Sequence, residues 1–284
     1  MINKLCIIGV GLIGGSLARA LKAADFVEHV VAVGRDIDHL KRAVELGVTD
    51  SYEASIENAV VDADMIVVAV PVGAMKAVFS ELSGKLKADA VVTDVGSVKG
   101  NVVRDARAAL HDGISRFVPG HPIAGTEQSG VEASFAELYD GQRVILTPLE
   151  ETDATATQSV TQMWHAAGAE VESLSVEHHD EVLAATSHLP HALAYTLVDT
   201  LAQMHEHREI FQFAAGGFKD FTRIASSDPR MWHDICLNNR DALLEMLNRF
   251  SVDLNKLTKA IEDEDSEFML KVFSRAKKAR DQNC

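Results

Sequence analysis

A short apolar run followed by spaced glycines constrains the fold of this chain more than any other feature. Residues 5–8 are apolar enough for a buried strand, and Gly9, Gly11 and Gly14 then form G-x-G-x-x-G at the start of an amphipathic segment. Gly9 can adopt turn angles, Gly11 lets the main chain approach a pyrophosphate, and Gly14 lets a helix lie close to the strand. The motif predicts a dinucleotide-binding turn, and the βαβ pattern that follows disfavours a tight turn without a ligand.

Length, charge and cysteine spacing narrow the class of protein. A chain of 284 residues is long enough for about two domains. Its net charge of -15 argues against a nucleic-acid surface and favours a small-molecule partner. Cys6, Cys236 and Cys284 are too dispersed for a metal pair or a disulfide framework, which fits a reducing compartment. With no room for a signal peptide before the first strand and no apolar stretch of ~20 residues, we expect a cytoplasmic protein without a membrane partner.

The end of the second predicted strand bears on the choice of cofactor. Strand 29–33 precedes a helix at 37–46. NAD-binding folds usually carry Asp or Glu about 20 residues after the last glycine of the motif. In this chain that position is Gly34. Arg35 comes next, and a guanidinium suits the 2′-phosphate of NADP. The sequence thus favours NADP, although Asp36 could serve NAD after a small shift in register and Arg35 could be a solvated surface charge.

Polar loops follow two further predicted strands. Apolar residues 65–70 end at Pro71, and residues 90–93 lead into a glycine-bearing loop. Ligands of open α/β sheets bind outside the carboxyl ends of strands, so Ser97 in that loop could hydrogen-bond a ligand. Its alternative role is to cap the helix that begins near Lys99. The predicted cofactor-binding residues are Gly9, Gly11, Leu12, Ile13, Gly14, Arg35, Val70, Pro71 and Ser97.

A histidine stands at the exit of the next predicted strand. His121 lies between Gly120 and Pro122, which fixes its backbone and leaves its ring free to face a ligand. An imidazole in that position suits a general base near neutral pH. The alternative is a polar loop histidine without a catalytic role.

The pattern of the chain changes near residue 175. Residues 143–147 and 170–174 are predicted to be the last strands of the sheet, and helical stretches follow at 176–204, 209–218, 231–257 and 267–279. The sequence therefore predicts an α/β fold. An N-terminal Rossmann-type doubly wound sheet, residues 1–175, precedes a C-terminal all-helical domain, residues 176–284.

Polar residues also stand out in the helical part of the chain. Pro190 should kink its helix and turn Ser187 and His191 towards one side. Arg223 lies among apolar neighbours in the sequence, where a guanidinium needs an anion, either Asp220 or a substrate carboxylate. Several histidines occur here, but no thiol or carboxylate stands at ligand spacing, so we predict no metal site.

Taken together, these motifs resemble those of a known family. The segments 9–16, 94–99, 120–127, 187–191 and 218–225 are similar to motifs of the prephenate/arogenate (cyclohexadienyl) dehydrogenases of tyrosine biosynthesis. The resemblance implies NAD(P)-dependent oxidative decarboxylation of prephenate to 4-hydroxyphenylpyruvate, or of arogenate to tyrosine. It also implies a homodimer formed through the helical domain, whose apolar surface exceeds what packing on the sheet needs. The chain has no room for the chorismate mutase or regulatory domain often fused to this family, so we expect the monofunctional form.

The resemblance also assigns roles to individual residues. In the family, the histidine of the G-H-P motif, here His121, hydrogen-bonds the ring hydroxyl of the substrate and polarises it for hydride loss. The serine of the D-x-G-S-V-K motif, here Ser97, helps to hold that hydroxyl and the nicotinamide. Arg223 would bind a substrate carboxylate. The implied substrate-binding residues are Arg223, His191, Ser187, Glu127 and Thr126.

Two other functions compete with this hypothesis. Another two-domain hydroxy-acid dehydrogenase would normally need a catalytic lysine on a C-terminal helix, and no lysine stands out in that role. A non-catalytic NAD(P)-binding sensor would not need His121, Ser97 and Arg223 together in polar segments.

Overall fold

A parallel six-stranded sheet forms the first part of the computed structural model, which describes residues 1–126, 128–205 and 207–283. Its strands are β1 Ile2–Ile8, β2 Val27–Val33, β3 Ser51–Glu53, β4 Met65–Val68, β5 Val91–Asp94 and β6 Phe117–Val118. They lie in the order β3-β2-β1-β4-β5-β6, with every neighbouring pair parallel. This is the order of a doubly wound dinucleotide-binding sheet, so the predicted fold class is confirmed.

Helices cover both faces of this sheet. They are α1 Leu12–Ala23, α2 Ile37–Glu45, α3 Ile56–Ala59, α4 Val72–Leu82, α5 Gly100–Leu110 and α6 Ala154–Ala166. Successive residues of β1 point to opposite faces, so Leu5 and Ile7 join one core cluster while Cys6 and Ile8 join the other. Because both faces are buried, β1, β4 and β5 are nearly continuous apolar runs, whereas the short edge strand β3 is only partly buried.

The predicted last strands do not belong to the main sheet. β7 Gly120–Pro122, β8 Arg143–Leu146 and β9 Glu170–Ser173 form a separate three-stranded sheet, in which β7 is antiparallel to β8. Pro119 has no N–H to continue the ladder of β6, and Gly120 N donates to the carboxylate of Asp94 at 3.2 Å. The chain therefore leaves the six-stranded sheet at this point.

Helices make up the rest of the described chain. They are α7 Val176–Leu183, α8 Leu189–Ala202, α9 His207–Gln212, α10 Gly216–Thr222, α11 Pro229–Asn238, α12 Arg240–Glu262 and α13 Ser266–Asn283. A π-helical turn, Ala184–His188, separates α7 from α8. It lies directly before Pro190, which occupies the first turn of α8 and cannot donate a backbone hydrogen bond. The irregularity predicted at Pro190 is thus a π turn.

The prediction of one continuous helix over residues 231–257 is wrong. The helix is interrupted at Asn239, between α11 and α12. The buried Asn239 side chain turns inward there and donates to the carbonyl oxygen of Asp180 at 2.8 Å. The break nearly coincides with the limit between two compact units, Met1–Arg240 and Asp241–Cys284. The boundary predicted near residue 175, where sheet gives way to helices, stays a prediction.

The second unit exposes a series of large apolar side chains. They lie on α12 and α13 and are Leu244, Phe250, Val252, Leu254, Ile261, Leu270 and Phe273. Among the described residues, none of the helices combines the length and the apolar character that crossing a bilayer requires.

Candidate functional site

The turn after β1 has the shape that a dinucleotide requires. Gly9 has φ +99°, and a Cβ atom there would lie 2.5 Å from the carbonyl oxygen of Ala69. A Cβ at Gly14 would lie 2.4 Å from the carbonyl oxygen of Gly9, so both positions exclude a side chain. By contrast, a Cβ at Gly11 would meet nothing within 4 Å among the described residues. The open space is at the glycine whose main chain should approach the pyrophosphate, so the turn fits the cofactor.

The other predicted cofactor residues surround this turn. Leu12 and Ile13 form the first turn of α1, whose N-terminal N–H groups suit a phosphate. Val70 and Pro71 follow β4, and a Val70 methyl lies 3.0 Å from the Cβ position of Gly9. These residues therefore meet at the carboxyl edge of the sheet, where open α/β sheets bind ligands.

The loop between β2 and α2 carries two groups that bear on cofactor choice. Arg35 is exposed at the end of β2. Asp36 caps α2, because its Oδ1 accepts hydrogen bonds from the N–H groups of Asp38 at 3.0 Å and His39 at 3.1 Å. The cap leaves Oδ2 of Asp36 available for a further hydrogen bond.

His121 is the inner end of a buried chain of hydrogen bonds. It lies on β7, is 8% exposed, and its Nδ1 is 2.9 Å from Nε2 of His179. Nδ1 of His179 is in turn 2.8 Å from Oδ1 of Asp180. We call this chain the His121–His179–Asp180 relay. The hydrogen bond of the His121 ring in the part of the chain that the structure describes is made by Nδ1, so Nε2 can meet a ligand.

Burial decides the charge of the two histidines. It lowers the pKa of His121 well below its ordinary value, and the neighbouring His179 and Lys99 lower it further. Burial also lowers the pKa of His179, although Asp180 opposes the shift. Both rings are therefore neutral at pH 7. The sequence does not reveal how deeply β7 is buried, so the low pKa of His121 could not be predicted from it.

Asp180 also holds the loop that carries Ser97. Its Oδ1 accepts a hydrogen bond from Lys99 N and its Oδ2 one from Gly100 N, both at 2.8 Å. Asp180 thus caps α5, and the capping role considered for Ser97 is wrong, since a residue 80 positions away from Gly100 fills it. Burial alone would raise the pKa of the Asp180 carboxyl, but the donors from His179, Lys99 and Gly100 outweigh it and lower the pKa.

A buried ion pair ties the Ser97 loop to β7. The Lys99 ammonium contacts the Asp94 carboxylate, and both side chains are 0% exposed. Lys99 Nζ also donates to the carbonyl oxygen of Gly120 at 2.6 Å, while Asp94 accepts from Gly96 N at 2.8 Å. Burial lowers the pKa of Lys99, and Asp94 opposes that shift. The pair fixes the loop before Ser97 and the residue before His121 relative to each other.

The His191 ring contacts the main chain of Ser187, while the prediction that both side chains turn towards one side stays a prediction. His191 Nδ1 lies 2.8 Å from the carbonyl oxygen of Ser187. The His191 ring stacks on Trp232 of α11 with centroids 3.6 Å apart and an angle of 19° between the planes. The Trp232 indole N–H is buried and has no hydrogen-bond partner among the described residues.

Two of the remaining predicted substrate residues, Arg223 and Thr126, lie in a turn and a loop. Arg223 begins the 3-10 turn Arg223–Ser226, which packs against α8, the helix of His191. Its side chain is exposed, so the argument that burial forces it to meet an anion is wrong, because the apolar neighbours in sequence do not enclose it. Thr126 is exposed, and its hydroxyl accepts a hydrogen bond from Gln128 N at 3.2 Å. Glu127 lies outside the described residues.

Sequence reasoning missed several residues of this site. His179 and Asp180 are adjacent near the start of α7, and the pair of a histidine and a carboxylate after a strand was the available signal. Asn239, whose side chain nitrogen lies 3.0 Å from His188 Nδ1, and Trp232 gave no comparable signal. No group of metal-binding side chains assembles among residues 1–126, 128–205 and 207–283.

The glycine turn is shaped for a pyrophosphate, and a neutral imidazole lies at the same edge of the doubly wound sheet. Together these two features define a dinucleotide-dependent dehydrogenase. Residues 17–173 match the family model of the prephenate dehydrogenase nucleotide-binding domain. Residues 175–275 match the model of the prephenate dehydrogenase dimerization domain. The chain belongs to the prephenate dehydrogenase family.

Individual relatives agree with the family models. The chain is 41% identical over 282 residues to cyclohexadienyl dehydrogenase of Zymomonas mobilis, covering 98% of this chain and 95% of the relative. It is 35% identical to prephenate dehydrogenase of Bacillus subtilis, over 99% of this chain and 76% of the relative. The crystal structure of Aquifex aeolicus prephenate dehydrogenase with hydroxyphenyl propionate and NAD+ matches with a TM-score of 0.92, 40% identity and coverage of 99% and 98%.

Proposed function

We propose that the protein catalyses the NAD(P)-dependent oxidative decarboxylation of prephenate or arogenate. The observation that carries this proposal beyond family membership is the neutral His121 ring, which hydrogen-bonds through Nδ1 and leaves Nε2 for a ligand, on the strand held against the end of β5. A site for hydride loss from a hydroxyl-bearing carbon needs such an acceptor beside the cofactor.

The chemistry of the ring explains why a weakly basic imidazole suffices. When bound, NAD(P) would supply the hydride acceptor for the ring carbon that carries the hydroxyl. The carboxylate on the opposite ring carbon leaves as carbon dioxide, and its bonding electrons complete the aromatic ring. The hydroxyl oxygen on the ring carries one proton before the reaction. It still carries one proton afterwards, as the phenol of the product. His121 therefore has to polarise the O–H group through a hydrogen bond that strengthens as the hydride leaves, without keeping the proton.

The other predicted residues are assigned to positioning and binding. Ser97, half-buried in the loop between β5 and α5, would hold the substrate hydroxyl and the nicotinamide. Ser187 and His191 would line the pocket, and the His191 ring would be held by its stacking on Trp232. Arg223 would bind a substrate carboxylate as a charge-assisted pair. Thr126 and Glu127 would belong to the mouth of the pocket.

Absorbance at 340 nm tests the proposed activity. Prephenate and arogenate are each offered with NAD and with NADP, and reduction of the cofactor is expected with at least one pairing. Reduction with simple hydroxy acids but with neither cyclohexadiene would favour the other two-domain dehydrogenase. Cofactor binding with no reduction in any pairing would favour the sensor.

We further propose that NADP is preferred, with NAD as the alternative that Asp36 supports. Arg35→Ala should raise the KM for NADP and leave the KM for NAD nearly unchanged, because only NADP carries the 2′-phosphate that a guanidinium would hold. Steady-state kinetics with both cofactors measure the effect. The control is Lys41→Ala, which should change neither KM. Lys41 is also an exposed cation, but it lies on α2, where its ammonium is 3.2 Å from the carboxylate of Asp38. An equal rise for both cofactors with Arg35→Ala would show that Arg35 is only a surface charge.

We also propose a homodimer formed through the helical part of the chain. The exposed apolar side chains of α12 and α13 and the match of residues 175–275 to a dimerization domain support it. Light scattering at micromolar concentration should give twice the mass of 30.8 kDa. A monomer at that concentration would contradict the proposal.

A cytoplasmic location is proposed from the cysteines. Cys6 and Cys236 are free thiols, and burial raises the pKa of Cys6 to about 12. Thiols without a disulfide partner are typical of a reducing compartment.

A further inference from the structure

We propose that Asp180, acting through His179, fixes the proton of His121 on Nδ1 and so keeps Nε2 as a hydrogen-bond acceptor. Asp180 and His179 are then positioning residues for the proposed reaction. The inference rests on the proposed function only for the identity of the group that Nε2 accepts from. The direction of the relay follows from the contacts of the protein itself.

The first step is the charge of Asp180. Its carboxylate accepts hydrogen bonds from the backbone N–H groups of Lys99 and Gly100, each at 2.8 Å, and contacts Nδ1 of His179 at 2.8 Å. An ionised carboxylate can only accept hydrogen bonds, and these donors keep its pKa below the ordinary value despite burial. His179 must therefore point a donor at Asp180.

The second step is the tautomer of His179. The ring is fully buried, and burial keeps it neutral, so it carries one proton on its two nitrogens. Because Nδ1 faces an acceptor, the proton is on Nδ1. The other nitrogen, Nε2, then carries a lone pair and faces Nδ1 of His121 at 2.9 Å.

The third step is the tautomer of His121. Its Nδ1 faces the lone pair of His179 and must donate, so the ring proton is on Nδ1 and Nε2 is the acceptor. The reverse arrangement would point the lone pair of His179 Nδ1 at the carboxylate of Asp180 at 2.8 Å, so that two acceptors would face each other in a buried site. The charged and titratable neighbours of His121, which are Lys99, His179 and His188, all disfavour a second proton on the ring.

The same carboxylate also fixes the Ser97 loop. By capping α5 at Lys99 and Gly100, Asp180 holds the backbone directly after Ser97, while its Oδ1 orients the relay. One side chain on α7 thereby contacts both the histidine that holds His121 and the backbone that follows the Ser97 loop.

Nitrogen-15 NMR of histidine-labelled protein, without substrate or cofactor, tests the tautomers directly. We expect the signals of His121 and His179 to be those of the Nδ1–H form, assigned by their loss in His121→Asn and His179→Asn. An Nε2–H form of His121 in the unmodified protein would overturn the proposal. The result does not depend on activity, so it stays decisive even if neither prephenate nor arogenate is a substrate.

Two substitutions of His179 separate orientation from folding. In His179→Gln the amide oxygen reaches the place of Nε2 and can still accept from His121, whereas in His179→Asn the amide reaches only the place of Nδ1. We expect His179→Asn to lower kcat by roughly 10-fold to 10²-fold with little change in KM, and His179→Gln to recover at least half of that loss on a logarithmic scale. His178→Asn, at the neighbouring exposed histidine, should leave kcat unchanged. A wild-type kcat in His179→Asn, or equal losses in the Asn and Gln variants, would overturn the positioning role.

Discussion

Replacing His121 by asparagine should lower kcat by roughly 10²-fold to 10⁴-fold with little change in the KM of the substrate. The asparagine amide can still donate to Nε2 of His179, which lies 2.9 Å from Nδ1 in the unmodified protein. It cannot reach the position of Nε2, so only the acceptor for the substrate hydroxyl is lost. That hydrogen bond strengthens as the hydride leaves, and an interaction made chiefly in the transition state affects kcat.

Arg223→Ala provides the contrast for this prediction. A substrate carboxylate is fully charged in the ground state and in the transition state, so losing its partner removes uniform binding and shows mainly in KM. We expect the KM to rise tenfold or more, which corresponds to about 1.4 kcal/mol or above. Steady-state kinetics of the two variants with the same substrate decide between these patterns. If His121→Asn keeps a kcat near that of the unmodified protein, the acceptor lies elsewhere and His191 becomes the next candidate.

The parts of the fold that local sequence determines could be predicted. The glycine turn depends on close approaches within one βα unit, such as the 2.4 Å that separates a Cβ at Gly14 from Gly9 O, and only glycine meets them. The apolar runs within β1, β2, β4 and β5 are buried on both faces and can be recognised directly, whereas β3, with the sequence Ser-Tyr-Glu, carries no such run. The strands β8 and β9 were recognised as well, but nothing in them specifies which neighbour they pair with.

The relay could not be predicted because its members are distant in sequence. His179 is 58 residues from His121, and Asp180 is 81 residues from the Lys99 N–H that it accepts from. A histidine considered alone gives no sign of its partner, its burial or its tautomer, and all three decide what His121 can do. The prediction that apolar neighbours enclose Arg223 failed for the same reason. Residues that are adjacent in sequence do not surround its side chain, which is exposed.

Lys99→Met should destabilise the protein by about 3–5 kcal/mol, because it leaves the carboxylate of Asp94 buried without its cation. Asp94 and Lys99 are both 0% exposed, so water cannot replace the missing partner. The variant also removes the hydrogen bond from Nζ to Gly120 O, at 2.6 Å. Urea unfolding at a fixed protein concentration measures the loss, which should appear as a lower midpoint with an unchanged slope.

The chain offers a matched control in Lys87→Met. Lys87 lies 2.5 Å from Asp64, but the two side chains are 30% and 29% exposed, so water can solvate the remaining carboxylate. A pair that water can reach contributes about 1 kcal/mol or less, and the control should lose no more than that. The difference between the two variants therefore isolates burial as the cause. If Lys99→Met were no less stable than Lys87→Met, the Asp94 charge would have to be relieved by protonation or by water, and the ion pair would not be what holds the Ser97 loop to β7.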